Sequence, residues 1–297
     1  MKVLAITLEW SGCAVLVDDK IIFAASEERY TRIKSDSSFP SNSIKEALKI
    51  SGLKGDDFDQ VIITGKKISL IPSLVNPWAV FSVEDQIKEM EEYWYPNLVL
   101  GENRSFLEVF KDKINLEQFP FNTELGKKFD IFKLKNPYTE EDAINVSEFY
   151  KEIISSFLGI QKEKIIHMEH HWCHVAYGFY GSPIRDDNTL IVTADAWGDD
   201  VSGTLSIYSK KENKINRVKE YSHKDFQLAR IYRYTTLVLN MIANRHEYKV
   251  MGLAPYYNGP MTKKVEDVFD NMLTNVGLDF KFNSEIKDIY DYLNNNL

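Results

Sequence analysis

The chain has 297 residues, of which 44% are hydrophobic and 13% aromatic, so it can bury a large core and is not globally disordered. Its net charge is −8 and it has no basic stripe, which disfavours non-specific nucleic-acid binding and favours a soluble, cytoplasmic protein. Two isolated cysteines, Cys13 and Cys173, do not form a disulfide framework, and no apolar run is long enough to predict a transmembrane helix.

The first 65 residues predict the order β-β-β-α-β. Ser41 or Ser43 can cap the predicted helix, and Ile44, Leu48 and Ile50 give it a partial apolar face. The strands are predicted from four short apolar runs, VLAITL, CAVLVDD, KIIFAASEE and QVIITG. This order predicts an α/β fold.

Residues 66–145 are less regular, and we predict that they form a helical insertion or lid. The stretch SVEDQIKEMEEYWYPNL predicts a helix that ends near Pro96. A second amphipathic helix, NVSEFYKEIISSFLG, closes the insertion.

Residues 146–297 begin a second β-rich section. The stretch KIIHM predicts a strand followed by a helix from near Glu169, and TLIVTADAW predicts an apolar strand that ends on Asp195. A hairpin with its tip near Glu212 and Asn213 follows, and then a long amphipathic helix over residues 226–246. The stretch EYKVMGLAPYYNG predicts a Gly/Pro-rich loop, and the tail predicts one or two helices.

Four of the six histidines lie within residues 167–174. His170 and His174 are four residues apart, so on a helix they share one face and can bind one metal ion. Neutral imidazole suits Zn²⁺ or Fe²⁺, and Asp195 at the end of a strand can complete the ligand set. The alternative is a helix whose histidines cap, pack or face water, and we expect Cys173 to pack rather than bind metal.

Two further motifs carry polar groups whose roles the residue pattern leaves open. In TADAWGDDVSGTLSIY, Gly198 and Gly203 permit close backbone approach, as in phosphate-binding corners, although such residues are also ordinary in turns. In RHEYKVMGLAP, Lys249 beside Glu247 can stabilise a nucleotide or carbamoyl group, or the two can be a solvated pair at a helix end.

A basic group follows the third predicted strand. Arg29, Arg32 and Lys34 can bind phosphate or pair with the preceding Glu27 and Glu28. The residue pattern does not decide between the two.

The stretches AASEERYTRIKSDSSFP, EHHWCHVAYGFYGSP, TADAWGDD and EYKVMGLAPY resemble those of the O-carbamoyltransferases of the nodulation-factor and antibiotic-tailoring type. The resemblance covers about residues 1–36 and 146–260. It implies an actin-like ATPase fold, built here from a first part (1–65), the insertion (66–145) and a continuation (146–297) that is truncated before its second half. It also implies that carbamoyl phosphate and ATP form carbamoyl-adenylate, whose carbamoyl group passes to an acceptor hydroxyl beside a metal bound by two histidines and two aspartates.

Carried over residue by residue, the resemblance assigns three kinds of site residue. The metal ligands would be His170, His174 and Asp195. Lys249 and Glu9 would be catalytic. Nucleotide or carbamoyl binding would fall to Ser11, Gly12, Gly198, Asp199 and Glu247.

The sequence departs from the family pattern at two positions. Trp10 and Ser11 stand where the family usually carries a His-Asp pair, so the role of a histidine base is vacant and Glu9 is the substitute. Ala196 replaces a usual glycine after Asp195, and we expect it to alter the following loop.

The family's chains are also about twice as long, so we expect these 297 residues alone to be incomplete as a catalyst. A second chain could supply the C-terminal half, the fourth metal ligand and the activation domain. The acceptor would be a small molecule or sugar. We expect neither a nucleic-acid partner nor association with a membrane. The rival functions are an ATP phosphotransferase of the same fold superfamily and a non-catalytic regulatory or binding subunit.

Overall fold

A computed structural model describes residues 1–134, 139–224, 227–257, 259–277 and 279–297. The chain forms two compact units: unit 1 contains residues 1–81 and 105–170, and unit 2 contains residues 82–104 and 171–297. The predicted insertion, residues 66–145, contributes to both units, and its residues 135–138 lie outside the described residues. Among the described residues, no helix is both long enough and apolar enough to span a membrane.

The strands of the described residues are β1 (Lys2–Thr7), β2 (Gly12–Val17), β3 (Lys20–Ser26), β4 (Gln60–Thr64), β5 (Ile165–Met168), β6 (Thr189–Gly198), β7 (Val201–Ser209), β8 (Lys214–Ser222), β9 (Leu273–Val276) and β10 (Asp279–Phe282). The first four confirm the predicted strands of the N-terminal section. The β9–β10 hairpin was not predicted.

The α-helices are α1 (Glu28–Thr31), α2 (Ser41–Ser51), α3 (Ile71–Val75), α4 (Pro77–Val80), α5 (Val83–Lys88), α6 (Tyr95–Leu98), α7 (Phe106–Val109), α8 (Glu124–Lys128), α9 (Glu140–Leu158), α10 (His170–Gly181), α11 (Leu228–Val238), α12 (Glu247–Leu253), α13 (Met261–Asp270) and α14 (Ile289–Asn296). A π-helix spans Glu89–Trp94, and 3₁₀ turns span Gly55–Asp57, Lys111–Lys113, Ile131–Lys133, Lys162–Lys164 and Ala254–Tyr256.

Unit 1 is built on a five-stranded sheet in the order β3-β2-β1-β4-β5. The first three strands are antiparallel, whereas β4 is parallel to β1 and β5 is parallel to β4. Because β1 and β4 alternate buried and partly exposed residues, one sheet face is dominated by fully buried Leu4, Ile6, Val61 and Ile63. The predicted β-β-β-α-β order is therefore confirmed, and α/β is the correct fold class.

Helix α2 is capped differently from the prediction. Pro40 occupies the N-cap position, and the buried Glu27 carboxylate accepts the N–H groups of Asn42 (2.9 Å) and Ser43 (2.7 Å). An acidic group stabilises a helix N-terminus. Glu27, 15 positions before Asn42, therefore caps α2, the role that we predicted for Ser41 or Ser43. Ile50, which we assigned to the apolar face, is 56% exposed.

The predicted helix at 82–98 forms but passes through Pro96. Helix α5 leads directly into the π-helix and then into α6, which ends at Leu98. Proline lacks the N–H that an α-helix interior uses, and the wider π-helical turn before Pro96 changes the bonding pattern at that point. The closing helix, α9, begins earlier than predicted because Thr139 and Asp142 form a capping box.

Unit 2 contains a three-stranded antiparallel sheet in the order β6-β7-β8 and the helix α10. Val175 and Phe179 of α10 pack with Ile191 of β6 in one core cluster. The hairpin β7–β8, with its turn at residues 210–213, confirms the prediction. A second core cluster joins α5, the π-helix, α11 and α14 around Met90, Leu237 and Leu293.

One helix prediction and one loop prediction in unit 2 are wrong. The helix predicted over 226–246 ends at Val238 because Asn240 adopts the left-handed conformation (φ 56°) that commonly ends helices. Its first residue, Phe226, lies outside the described residues. The stretch predicted as a loop from Glu247 instead forms α12 and a 3₁₀ turn, in which Pro255 lies in the first turn where its missing N–H is not needed.

Candidate metal centre and neighbouring sites

The structure brings together the three residues predicted to bind a metal. His170, His174 and Asp195 each offer one ligand atom, and these atoms all lie within 4.8 Å of one another. His174 Nε2 is 3.2 Å from Asp195 Oδ2. His170 is the first residue of α10, and the division between the units falls directly after it.

This donor set fits a divalent transition metal. Donor atoms on one such ion lie roughly 3–4 Å apart, because metal–nitrogen and metal–oxygen distances are near 2.1 Å. Two imidazoles and one carboxylate suit Zn²⁺ or Fe²⁺. All three side chains are at least partly exposed, so an ion held here would keep an open coordination position for water or substrate.

Strand β6 is distorted at the point where it carries Asp195. Pairing with β7 stops after Ala194–Gly203 and resumes at Gly198–Val201, so three β6 residues lie opposite one β7 residue. The Asp195 Oδ1 atom accepts the Ala196 N–H at 2.6 Å. The strand therefore continues past Asp195, contrary to the prediction, and the bulge presents this carboxylate beside α10.

Ala196 does not disturb this bulge. Its φ is not in the left-handed region, so the position does not demand glycine. Ser202 Oγ donates a hydrogen bond to the Ala196 carbonyl at 2.8 Å. Ala196 therefore adopts this backbone conformation without strain, and the expectation that it alters the following loop stays a prediction.

His171 is the residue that the sequence interpretation missed. It is fully buried, with Nδ1 2.8 Å from Thr193 Oγ1 and Nε2 3.0 Å from the Val201 carbonyl oxygen. A carbonyl only accepts, so Nε2 carries a proton. His171, Val175 and Phe179 recur every four residues, and that spacing on the buried face was the signal available in the sequence.

His167 and Cys173 lie in the same stretch of sequence but outside the candidate donor set. His167 lies at the end of β5, as predicted, and its Nδ1 donates to the Gly65 carbonyl at 2.9 Å. Burial lowers the pKa of His167, which favours the neutral ring. Cys173 is partly exposed and is not in the metal-ligand set, and both cysteines are free thiols.

The predicted phosphate corner is a tight hairpin turn. Gly198 pairs with Val201, and Asp199 (φ 52°) and Asp200 (φ 66°) form the two-residue turn between β6 and β7. Two left-handed central residues are the signature of a type I′ turn, which Asp and Asn tolerate. The turn carries two carboxylates, which attract cations more readily than phosphate.

The β1–β2 turn of unit 1 contains four residues singled out from the sequence. Glu9 is half-buried, whereas Ser11 is buried and its hydroxyl donates to the Ser38 carbonyl. Gly12 is required for packing because a Cβ there would lie 2.7 Å from the Ala25 carbonyl oxygen. Trp10 stacks on Trp78 with ring centroids 4.4 Å apart.

A shallow cavity of about 470 Å³ adjoins this turn. Trp10, Gly12 and Arg29 line it together with small side chains of β1, β2 and β3. The acids that precede Arg29 bind backbone groups, since Glu27 caps α2 and the Glu28 carboxylate accepts the Ser35 N–H at 2.9 Å. The structure shows these two carboxylates bonded to backbone N–H groups, and Arg29 lines the cavity.

Sequence comparison supplies the family. The family described as "Carbamoyltransferase N-terminus" matches residues 2–295. The chain belongs to this family. It is 26% identical over 267 residues to the uncharacterized protein sll1178 of Synechocystis sp., covering 89% of this chain and 35% of that protein. It is 25% identical over 272 residues to the nodulation protein NolNO of Sinorhizobium fredii, covering 91% of this chain and 31% of that protein.

The resemblance noted from the sequence motifs is therefore confirmed at the level of the carbamoyltransferase N-terminal family. The chain spans about a third of the length of the two curated relatives. The matched region extends through the segment between residues 36 and 146, which the motifs alone did not cover.

The remaining predicted site residues of this carbamoyltransferase-family chain lie at the start of α12. Glu247 Oε1 accepts the Asn244 N–H at 2.5 Å, so this carboxylate closes the turn before the helix. Lys249 is exposed, with Nζ 6.0 Å from the Tyr248 ring centroid. The sequence left open whether Lys249 stabilises a ligand or forms a solvated pair with Glu247 at a helix end. The structure places both residues at a helix end, and the exposed Lys249 side chain is accessible to a ligand.

Proposed function

We propose that this chain carries the N-terminal part of a transfer domain that moves a carbamoyl group from carbamoyl-adenylate to an acceptor hydroxyl. The observation that carries the proposal is the convergence of His170, His174 and Asp195 in a chain of the carbamoyltransferase N-terminal family. A histidine metal site is unnecessary for a simple ATP phosphotransferase, so the cluster favours carbamoyl transfer over that rival.

The three side chains would hold Fe²⁺ or Zn²⁺ with His170 and His174 as neutral nitrogen donors and Asp195 as an oxygen donor. A bound ion supplies Lewis-acid polarisation and neutralises charge beside the adenylate phosphate. The protein's own contribution would be orientation, because the hydrogen bond between His171 Nδ1 and the Thr193 hydroxyl joins α10 to β6, the two elements that carry the candidate donors.

We assign the other predicted polar residues to the reaction as follows. Lys249, exposed on α12, would stabilise developing negative charge on the carbamoyl or phosphate oxygens. Glu9, on the β1–β2 turn, would accept the acceptor hydroxyl proton in place of the histidine that the family usually carries. Nucleotide or carbamoyl binding would fall to Ser11 and Gly12 in unit 1 and to Gly198, Asp199 and Glu247 in unit 2.

Ligand contact by the Ser11 hydroxyl would require its bond to the Ser38 carbonyl to break. The backbone of Ser11 is bonded as well, because its N–H donates to the Asp36 carbonyl at 3.1 Å and its carbonyl accepts the Glu27 N–H at 2.8 Å. Ligand binding at Ser11 would therefore have to replace existing hydrogen bonds.

We also propose an actin-like ATPase fold for the whole protein. The sheet of unit 1, with its β-β-β-α-β opening, is compatible with that fold and supports the assignment. A second polypeptide region would supply the C-terminal half of the fold, a fourth metal ligand and the activation of carbamoyl phosphate by ATP. The acceptor would be a small molecule or sugar hydroxyl.

The test is an assay with carbamoyl phosphate, ATP and a panel of hydroxyl acceptors, run with and without the product of the neighbouring gene. We expect a carbamoylated acceptor and AMP, and loss of the product in a His170→Ala/His174→Ala variant. Formation of a phosphorylated acceptor and ADP would instead establish the phosphotransferase.

A non-catalytic binding subunit is the second candidate, and the Trp10–Trp78 stack favours it because an indole stands where the family histidine is expected. Tight acceptor or nucleotide binding without turnover, in the presence of the neighbouring gene product, would establish this function.

A further inference from the structure

One face of the unit 1 sheet carries a row of small side chains. Ala5, Ala14 and Ala24 lie opposite one another on β1, β2 and β3, and none of them is buried. Because successive residues of a strand point to opposite faces, their fully buried neighbours Leu4 and Val15 face the core instead. The three alanines therefore form the floor of the cavity of about 470 Å³.

Hydroxyl groups surround this floor. Thr7, Ser26 and Thr64 line the cavity, and all three residues are half-buried. Within the described part of the chain, none of the three hydroxyls is hydrogen-bonded to another protein group. A ligand rich in hydroxyl groups can therefore bond here without displacing an existing protein contact.

Arg29 supplies a positive charge to the same cavity. Its side chain is exposed, and it forms no ion pair with any carboxylate of the residues that the structure describes. The adjacent Glu27 and Glu28 carboxylates instead accept the backbone N–H groups of Ser43 and Ser35. A guanidinium binds a carboxylate or phosphate through two parallel hydrogen bonds, so this cavity favours an anionic ligand.

A tryptophan pair borders the cavity. Trp10 lines it and stacks on Trp78, with ring centroids 4.4 Å apart and an angle of 9° between the ring planes. A parallel stack covers one face of an indole, and Trp10 is still 52% exposed. The other face offers a flat apolar surface on which a ring of a ligand can pack.

Buried hydrogen bonds hold the two indoles together. The N–H of Ser11, the residue after Trp10, donates to the Asp36 carbonyl at 3.1 Å. Asn76 Nδ2 donates to the buried Asp36 carboxylate at 3.1 Å, and Trp78 lies in the first turn of α4, which begins directly after Asn76. Because both segments are bonded to one buried residue, the pair is preorganised and loses little entropy when a ligand binds.

We propose that this cavity binds the hydroxyl acceptor and that the acceptor is an acidic sugar. The exposed face of Trp10 packs on the pyranose ring, Arg29 binds the carboxylate or phosphate of the sugar, and the threonine and serine hydroxyls bond the sugar hydroxyls. The proposal rests on the proposed function only in identifying the bound sugar as the carbamoyl acceptor. Glu9, the proposed base, directly precedes Trp10 on the same turn.

A nucleoside triphosphate fits the cavity less well. Phosphate chains bind to successive unbonded backbone N–H groups, whereas the Ser11 N–H at this turn already donates to Asp36. Among the described residues that line the cavity, Arg29 is the one cationic side chain, which suits a single anionic group. Gly12 also lines the cavity, in keeping with its assignment to carbamoyl binding, because the acceptor hydroxyl must meet that group.

The test measures the affinities of three glycosides by saturation-transfer NMR titration. The protein is isolated from its own cells with any polypeptide that extends or accompanies it, and the probes are methyl β-D-glucuronide, methyl β-D-glucoside 6-phosphate and neutral methyl β-D-glucoside. We expect one of the two anionic glycosides to bind about tenfold more tightly than the neutral one, and the stronger of them identifies the anion. Equal affinities for all three, or no binding, would overturn the proposal.

Two exposed arginines provide the matched control. Arg29→Gln should lower the affinity for the anionic glycoside to that for the neutral one, whereas Arg32→Gln, outside the cavity lining, should change neither. Equal effects of the two substitutions would overturn the proposal. Displacement of the glycosides by AMP that is lost in Arg29→Gln would also overturn it, because the occupant would be a nucleotide.

The ring platform has its own pair of variants. Trp10→Ala should weaken binding of all three glycosides about tenfold, whereas Trp10→Phe should retain most of the affinity because a phenyl ring preserves a stacking face. Circular dichroism confirms that each variant is folded. Unchanged binding in folded Trp10→Ala would contradict the role of the platform.

Carbamoyl transfer is assayed separately from binding. If the glycosides bind as expected but no acceptor is carbamoylated, the proposed function fails and the sugar site stands. If carbamoylation is found, Arg29→Gln should raise KM for the anionic acceptor about tenfold with little change in kcat. Transfer to hydroxyl acceptors with an unchanged KM in that variant would keep the function and overturn this inference.

Discussion

The Nδ1 atom of His171 lies 2.8 Å from Thr193 Oγ1, and this bond joins α10, which carries two candidate metal donors, to β6, which carries the third. Thr193 Oγ1 is in turn 2.7 Å from Thr204 Oγ1, while the other ring nitrogen of His171 donates to the Val201 carbonyl at 3.0 Å. His171, which the sequence interpretation treated only as a neighbour of the predicted ligand pair, therefore links the two elements that carry the candidate donors.

Replacing His171 with Ala should destabilise the protein by about 2–4 kcal/mol, because it leaves buried hydrogen-bonding groups unpaired and opens a cavity. Urea unfolding followed by circular dichroism measures this change. His174→Ala is the control, since its side chain is exposed and the same truncation should cost less than about 1 kcal/mol. Equal losses in the two variants would contradict the positioning role of His171.

The candidate metal centre predicts a metal content that can be measured directly. Protein dialysed against Fe²⁺ under anaerobic conditions, or against Zn²⁺, should retain up to one ion per chain, and His170→Ala/His174→Ala should retain almost none. His223→Ala is the matched control, because that histidine lies outside the donor set. Elemental analysis by mass spectrometry is the measurement, and equal metal content in wild type and double variant would exclude this site.

The Glu27 carboxylate should be a major stabiliser of unit 1. It accepts two backbone N–H groups and the Asn42 side-chain amide (2.8 Å) at the start of α2, so Glu27→Ala should cost about 2–4 kcal/mol. Glu28→Ala removes one bond, to the Ser35 N–H, and should cost about 1 kcal/mol. Chemical denaturation of both variants tests the ranking, which a larger effect at Glu28 would refute.

His167 should make the protein less stable at mildly acidic pH. Burial lowers its pKa in the folded state, so between that value and about 6.5 the unfolded chain binds a proton that the folded chain does not. Stability therefore rises with pH across this window, with an upper limit of about 1.4 kcal/mol per pH unit for one proton.

The comparison that isolates this effect is wild type against His167→Asn. The asparagine amide can still donate to the Gly65 carbonyl but does not titrate. Urea unfolding at pH 5, 6 and 7.5 should show a shallower pH dependence for the variant, and identical slopes would rule out His167 as the titrating group.

The two thiols should differ in reactivity. Burial raises the pKa of Cys13 to about 11, so only about one molecule in a thousand carries its thiolate at pH 8. Ellman's reagent should therefore modify Cys13 only after unfolding, while partly exposed Cys173 reacts in the native protein. Two rapidly reacting thiols in the native state would contradict the buried placement of Cys13.

Local pattern predicted much of the fold and the centre of the site. Short apolar runs located the first four strands, and the change from strand to helix near Glu169 separated His167 from the pair His170 and His174. These features depend on the spacing of apolar and polar residues that are close in the chain, and this spacing can be read directly from the sequence. The strand ending near Asp195 was found for the same reason, and the structure places its carboxylate beside the pair.

The tertiary structure decided what depends on residues far apart in the chain. Glu27 caps α2 across 15 positions, and His171 bonds with Thr193 across 22, so neither role is visible in a local window. The bulge at Asp195 arises from pairing with β7, and the helix from Glu247 forms despite the glycine at position 252. The sequence by itself determined which residue types lie on each element. Hydrogen bonding and burial between elements determined which of these residues come into contact. The energies of such contacts exist only once the chain has folded.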